Sequence, residues 1–189
     1  MRIPLAALFF SLAAFTAQAA PWEMDKSHSA VTFNASHLGF SITQGWFRDF
    51  DAEIDFDPES VETSTVNFTI DATSIDTNMT ARDDHLKGRD FLDVKNHPEL
   101  SFESTKVRIT GPETAEITGN FTMRGQTHEE VFQAELRRIG ASPFNSKIEI
   151  AGFTVTGEIE RTKYGVKFGA PAIGGVIPIR VDMEIFRKK

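Results

Sequence analysis

From Trp22 onward the apolar residues recur at every second position through run after run, and this period constrains the fold more tightly than any other feature. A period of two puts successive side chains on opposite faces of an extended strand, whereas a helix needs a period near 3.6. Val31, Phe33 and Ala35 alternate with Thr32 and Asn34; Phe50, Ala52, Ile54 and Phe56 alternate with Asp51, Glu53 and Asp55. The beat returns at Val66-Phe68-Ile70-Ala72, Leu100-Phe102, Ala115-Ile117 with Phe121-Met123, Phe132-Ala134-Leu136 and Ile148-Ile150. It closes with Ile177-Ile179-Val181-Met183-Ile185, where Arg180, Asp182 and Glu184 take the alternate positions. Turn signals separate the runs: Asp57-Pro58, Gly111-Pro112, Arg124-Gly125-Gln126, residues 140–143 and Gly174-Gly175. Strands joined by such short turns pair antiparallel, because parallel pairing needs long crossovers. The alternation predicts an all-β protein, an antiparallel meander of about eight strands closed into a barrel. The inside of such a barrel is filled by side chains or holds one small ligand.

Two segments depart from the beat. Residues 76–95 predict a short helix from about Met79 to Lys87, capped by Thr77 or Asn78, ended by Gly88 and placed like a lid across one end of the barrel. Residues 161–175, rich in glycine, read as a loop. Internal repeats and linkers are absent, so residues 20–189 form one expected domain.

The first twenty residues are of another kind. Arg2 is followed by an apolar run from Leu5 to Phe15 and then by Ala17-Gln18-Ala19, which predicts a signal peptide, residues 1–19, cleaved after Ala19. The run is too short for a membrane span, which needs ~20 residues. Cleavage would remove one positive charge from the formal −7 and leave −8. That balance argues against nucleic acid or an anionic membrane surface as partner, since both demand a clustered positive field.

With no cysteine, an exported chain of this length relies on its apolar core, and thiolate chemistry is excluded. Fourteen phenylalanines follow residue 19, beside one tyrosine and two tryptophans. Phenylalanine has no polar tip to satisfy, so this preference suits surfaces that stay dry, in an ordinary core or around an apolar guest.

Catalytic signatures are lacking. Five histidines (His28, His37, His85, His97 and His128) stand at spacings that match no short metal motif, and neither a nucleophile elbow nor a cofactor motif is present. Asp83, Asp84, Asp90 and Asp93 cluster near the expected helix, where Arg82, Lys87 and Arg89 answer them as local ion pairs. Arg82 shares a helix face with His85 and Leu86 at spacings of three and four. At a barrel mouth that face would either receive the polar head of an amphiphile or merely cap the structure.

Longer motifs carry a resemblance. W-x-M-D-x-x-H-S-x-V-x-F at residues 22–33, H-L-G-F at 37–40, G-W-F-R-D-F-D at 45–51 and S-I-D-T-N at 74–78 resemble the YceI-like family of periplasmic proteins. So do R-D-x-H-L at 82–86, D-F-L at 90–92, H-P-x-L-x-F at 97–102, I-T-G-N-F-T-M-R-G-Q-T at 117–127 and R-x-x-Y-G at 161–165. The resemblance implies a lipocalin-like eight-stranded barrel whose internal pocket holds a polyisoprenoid, an isoprenoid-quinone-type lipid or another long-chain amphiphile. It implies a carrier or storage protein of the periplasm, linked to stress responses, rather than an enzyme. A membrane b-type cytochrome or other quinone-linked partner is implied as well. Pairing of two chains as a homodimer would require exposed strand edges, which a closed barrel lacks.

Alternation then places Phe33, Phe50, Ile54, Phe68, Phe102, Phe121 and Phe153 in the lining, with Phe40, Phe91 and Phe168 nearer the ends. His28, His37, Arg82, Asp83 and His85 are expected near the head group. No metal and no cofactor is expected. The alternatives are an enzyme acting on such a lipid through His85 and a carboxylate, and a stress-protective barrel that is simply filled.

Overall fold

The computed structural model describes residues 20–189; the expected signal peptide, residues 1–19, lies outside the described residues. The strands are β1 (Glu23–His37), β2 (Ser41–Phe47), β3 (Phe50–Asp55), β4 (Thr65–Asp71), β5 (Ile75–Asp76), β6 (Glu99–Gly111), β7 (Thr114–Met123), β8 (Gln126–Ala141), β9 (Ile148–Glu160) and β10 (Val176–Lys188). One helix, α1 (Thr80–Lys87), separates β5 from β6. The strands form a single sheet in the order β3-β4-β6-β7-β8-β9-β10-β1-β2-β5, antiparallel throughout and curled into a half-barrel.

The curl follows from connectivity. β2 and β3 lie toward opposite ends of the sheet, yet only Arg48 and Asp49 separate them in sequence. Three Cα–Cα steps of 3.8 Å hold Phe47 and Phe50 within about 11 Å, so the sheet has to bend until its two ends meet. Backbone bonds stitch that corner, from Arg48 N–H to Ser74 O (3.2 Å) and from Asp71 N–H to Asp49 O (3.0 Å). Beside it the Lys26–Asp51 ion pair, 3.0 Å long, links β1 to β3.

Ten strands replace the expected eight, and the continuous closing ladder is not there: β3 and β5 end the hydrogen-bonded order among the described residues. The two additional strands are β2 and β5. In β2 the apolar residues Ile42, Trp46 and Phe47 keep no period of two, and β5 is two residues long, so neither leaves an alternation signal.

Inward parity is set by cross-strand pairs such as Val31 with Val181, Phe68 with Phe102 and Phe102 with Phe121. Three glycines then shape the bore. Gly45, Gly119 and Gly157 lie beneath the rings of Phe33, Phe102 and Phe132, and a Cβ at any of them would overlap the ring. Each phenylalanine therefore lies over the neighbouring strand instead of standing across the interior.

The helix begins differently from expectation. Met79 takes the N-cap position without a side-chain bond. Thr77 does not cap; Asp83 reaches back to accept from the Thr77 backbone N–H (2.9 Å) and hydroxyl (2.5 Å). Gly88 closes the helix as expected, in extended backbone, with its N–H donating to His85 O at 3.0 Å.

Candidate functional site

The curled sheet encloses two cavities in series. The lower one, about 230 Å³, lies toward the β6–β7 turn and is walled by residues including Ile54, Phe68, Phe102, Phe132, Phe153 and Val181. Its polar lining comes from positions such as Ser64, Thr65, Glu113 and Thr114, next to the turns at its rim. The upper one, about 280 Å³, lies under α1 and the 165–175 loop. Phe33, Leu100 and Ile177 wall it together with His37, Thr77, Arg82, His85 and Arg161. Phe121 and Ile179 line both, so the cavities meet at a two-residue waist. Pockets for small ligands run from roughly 300 to 1,000 Å³; neither cavity reaches that range alone, and the two in series do.

The upper mouth is built around a buried cation. Arg161, 5% exposed, directly follows β9 and donates only to backbone carbonyls: from Nε to Gly174 O (2.7 Å), from Nη1 to Val166 O (2.8 Å), and from Nη2 to Phe168 O (3.0 Å) and Ile173 O (2.5 Å). Burial pushes its pKa down, and the four carbonyls supply the partial negative charge that a buried guanidinium requires. Arg161 thereby folds the 165–175 loop over the sheet, and its guanidinium sits 5.8 Å from the Phe91 ring centroid. Arg124 adds a second tie, donating to Gly165 O at 2.6 Å and to Arg89 O at 2.8 Å. Tyr164 is fully buried beside them and donates to Glu130 at 2.8 Å; burial first, then the Glu130 carboxylate, raise its pKa well above the usual phenol range.

On the helix side, Arg82 spends its Nε and Nη2 on Thr77, on the hydroxyl at 2.7 Å and the carbonyl at 2.6 Å. The rings of His85, Phe91 and Phe168 meet at centroid distances of 5.0, 5.1 and 5.4 Å, and His85 Nε2 lies 3.2 Å from the Asp90 carboxylate. The residues at this end combine apolar rings with a few hydrogen-bonding groups, an arrangement suited to holding an amphiphile by its head.

Of the residues singled out from sequence, Ile54, Phe68, Phe102 and Phe153 line the lower cavity, Phe121 lines both, and Phe33, Phe91, Phe168, His37, Arg82 and His85 line the upper. Phe50 is buried and stacks on Phe68 at 5.9 Å, but it lines a small side pocket at the β2–β3 corner instead. Phe40 is 90% exposed on the β1–β2 turn and lines neither cavity. Asp83 is turned toward Thr77. His28 lies on the outer surface, because the ladder between β1 and β10 shifts register between Asp25 and Ala30 and the extra residues bulge outward. There Asp25, His28 and Glu184 bring one ligand-capable atom each within 4.8 Å. Asp25 is already engaged by Ser27 and His28, so the group locks the bulge.

The match of residues 22–185 to the YceI-like domain decides the affiliation. The chain belongs to the YceI-like family. Protein YceI of Escherichia coli O6:H1 is 39% identical over 191 residues, covering 100% of this chain and 97% of that protein. The crystal structure of Burkholderia cenocepacia BcnA superposes with a TM-score of 0.78 at 22% identity, over 86% of this chain and 99% of that one. A polyisoprenoid binding domain from Saccharophagus degradans, implicated in plant cell wall breakdown, superposes with a TM-score of 0.67 at 10% identity, over 90% and 99% of the respective chains. These two likenesses establish the fold. In this YceI-like chain the residue that sequence reasoning left out is Arg161: nothing in an R-x-x-Y-G run inside a glycine-rich stretch says that its cation will be buried on carbonyls.

Proposed function

We propose that this protein binds one long-chain polyisoprenoid or isoprenoid-quinone-type lipid along both cavities, with the tail in the lower one and the head at the upper mouth, and carries it through the periplasm. The observation that supports this most is the shared lining at Phe121 and Ile179, which sets two cavities end to end, with Arg82, His85 and Arg161 at the upper mouth and Ser64, Thr65, Glu113 and Thr114 at the lower rim. Each CH₂ taken from water contributes about 0.8 kcal/mol, so a chain of several isoprene units gains enough to bind without directional contacts along its length. The family match and the polyisoprenoid binding neighbour support the same ligand class. The signal-like residues 1–19 motivate the periplasmic assignment, and a quinone-linked membrane protein such as a b-type cytochrome is the proposed recipient. Binding, not turnover, is the proposed activity.

The test is to load the protein with isoprenoid alcohols of increasing length and weigh the complexes by native mass spectrometry. Replacing Ile179 by Trp fills the waist. It is expected to weaken long chains about a hundredfold, the equivalent of roughly three buried methylenes, while a short chain that needs one cavity binds as before. Equal binding of long chains by wild type and Ile179→Trp would refute the reading, as would no uptake at any length.

A further inference from the structure

The β1–β2 hairpin carries its ladder up to the pair His37–Ser41 and contributes His37 and Thr43 to the upper cavity. Beyond that pair only Leu38, Gly39 and Phe40 remain. Leu38 and Gly39 both adopt left-handed backbone, with φ of 54° and 76°, which turns the chain within three residues and throws Phe40 outward. Phe40, Ile42 and Leu38 are 90%, 64% and 51% exposed, and Phe168 across the rim is 46% exposed. The tip is held rather than loose: Leu38 N–H donates to Ala172 O, Gly174 N–H donates to Ser36 O, both at 2.9 Å, and His37 pairs with Ile173. Arg161 fixes the loop that holds it.

Charge sets this rim apart. Residues 35–47 and 161–179, which form the hairpin and the loop opposite, contain no Asp or Glu in a chain that has 27 of them, whereas the helix side of the mouth exposes Asp84 and Asp90. The lower end also exposes a phenylalanine, Phe144, alone on a turn, residues 142–147, that likewise lacks acids, but the other turns of that end carry Asp55, Asp57, Glu59, Glu62 and Glu113. A protein of net charge −7 is repelled by anionic surfaces, and the acid-free hairpin and loop are the side of the mouth where that repulsion is weakest. A convex tip of three apolar side chains falls short of the roughly 800 Å² per partner that a stable protein interface buries. Insertion about 5–10 Å into the headgroup boundary of a bilayer asks for no more than such a tip.

We propose that the Leu38–Ile42 tip inserts into a zwitterionic phospholipid bilayer and sets the upper mouth against it, so that an apolar chain passes between membrane and cavity without crossing water. The direction of transfer rests on the carrier reading above; the docking itself does not. Co-sedimentation with phosphatidylcholine vesicles tests it, using wild type, the triple variant Leu38→Ser/Phe40→Ser/Ile42→Ser, and Phe144→Ser as the control at the other end. The triple variant is expected to lower the vesicle-bound fraction at least tenfold and to slow uptake of a fluorescent polyprenyl probe from vesicles in proportion. Phe144→Ser should match wild type, and equilibrium binding of the probe delivered from dilute detergent should be equal in all three. Wild type left in the supernatant, a triple variant that pellets like wild type, or a tip that instead forms a dimer lost in the triple variant would each overturn the proposal. Failure of every protein to bind the probe from detergent would strike the carrier reading alone, and sedimentation would still decide the docking.

Discussion

The two cavities of the half-barrel share a waist and a similar size, but they are held by different forces. The lower is a wall of strands whose inward side chains are almost all apolar, stabilised by area removed from water and by ring packing such as Phe56 against Phe153 and Phe102 against Phe132, both at 5.1 Å. The upper is roofed by irregular chain, and irregular chain brings backbone carbonyls that strands would have paired among themselves. Arg161 satisfies four of them at once. A sheet can thus enclose apolar space with polar residues only at its rim, whereas this loop does so around a hydrogen-bonding hub. Under the proposed lipid binding, selectivity would follow the same division, with tail length set by the strands and the head by the roof.

Three experiments press on this contrast. The largest effect is expected from Arg161→Leu, which fits the volume but leaves the carbonyls of Val166, Phe168, Ile173 and Gly174 without donors. Stability should fall by about 3–5 kcal/mol, read as a lower midpoint in urea, and amide exchange should accelerate across residues 165–175 while β7 and β8 stay protected. Uniform acceleration over the whole sheet would show that the roof and the wall are one unit.

Next come paired glycine substitutions. Gly157→Ala forces the Phe132 ring into the lower cavity, and Gly45→Ala forces the Phe33 ring into the upper one. Overpacking of this kind costs about 1–3 kcal/mol, so the two should destabilise similarly. They should differ in ligand: Gly157→Ala shortens the longest tail accepted, and Gly45→Ala alters head-group preference, both measurable by competition between isoprenoid alcohols.

The smallest effect concerns pH at the outer bulge, remote from both cavities. Hydrogen bonds from the Ser27 hydroxyl and from His28 lower the Asp25 pKa to about 2, while that same Asp25 bond raises the pKa of His28. Asp25 ionises in the unfolded chain near pH ~3.9, so its contribution is present above that pH and is lost as pH falls toward 2. His28, ordinarily near ~6.5, contributes below that value, and its contribution disappears as pH rises through its raised folded pKa. The melting-temperature gap between wild type and His28→Ala is therefore expected to be widest between about pH 4 and 6.5 and to close at alkaline pH. A gap independent of pH would remove the ionic account of the bulge.

The same contrast explains what was legible in the sequence. Alternation revealed the strand walls, so Ile54, Phe68, Phe102, Phe121 and Phe153 could be placed on the inner face from spacing alone. The 3.6-residue period put Arg82, His85 and Leu86 on one helix face, and all three line the upper cavity. The roof was opaque, because Arg161 acts through carbonyls that every residue carries. His28 was misplaced by a bulge that changes strand parity without a marker residue. Phe40 was misplaced because an exposed and a buried phenylalanine read alike in a sequence. The strand count fell short because β2 keeps no period of two and β5 is only two residues long.

The ladder between β1 and β10 bears on how the molecule comes into being. It joins residues 23–33 to residues 179–186, nearly the full length of the described chain apart. Pairings so distant are entropically slow to form, and neither chamber has its wall until the last strand is available. A growing chain is therefore barred from finishing early: it remains an open ribbon, unable to trap a guest, until residues 176–188 arrive to complete the sheet.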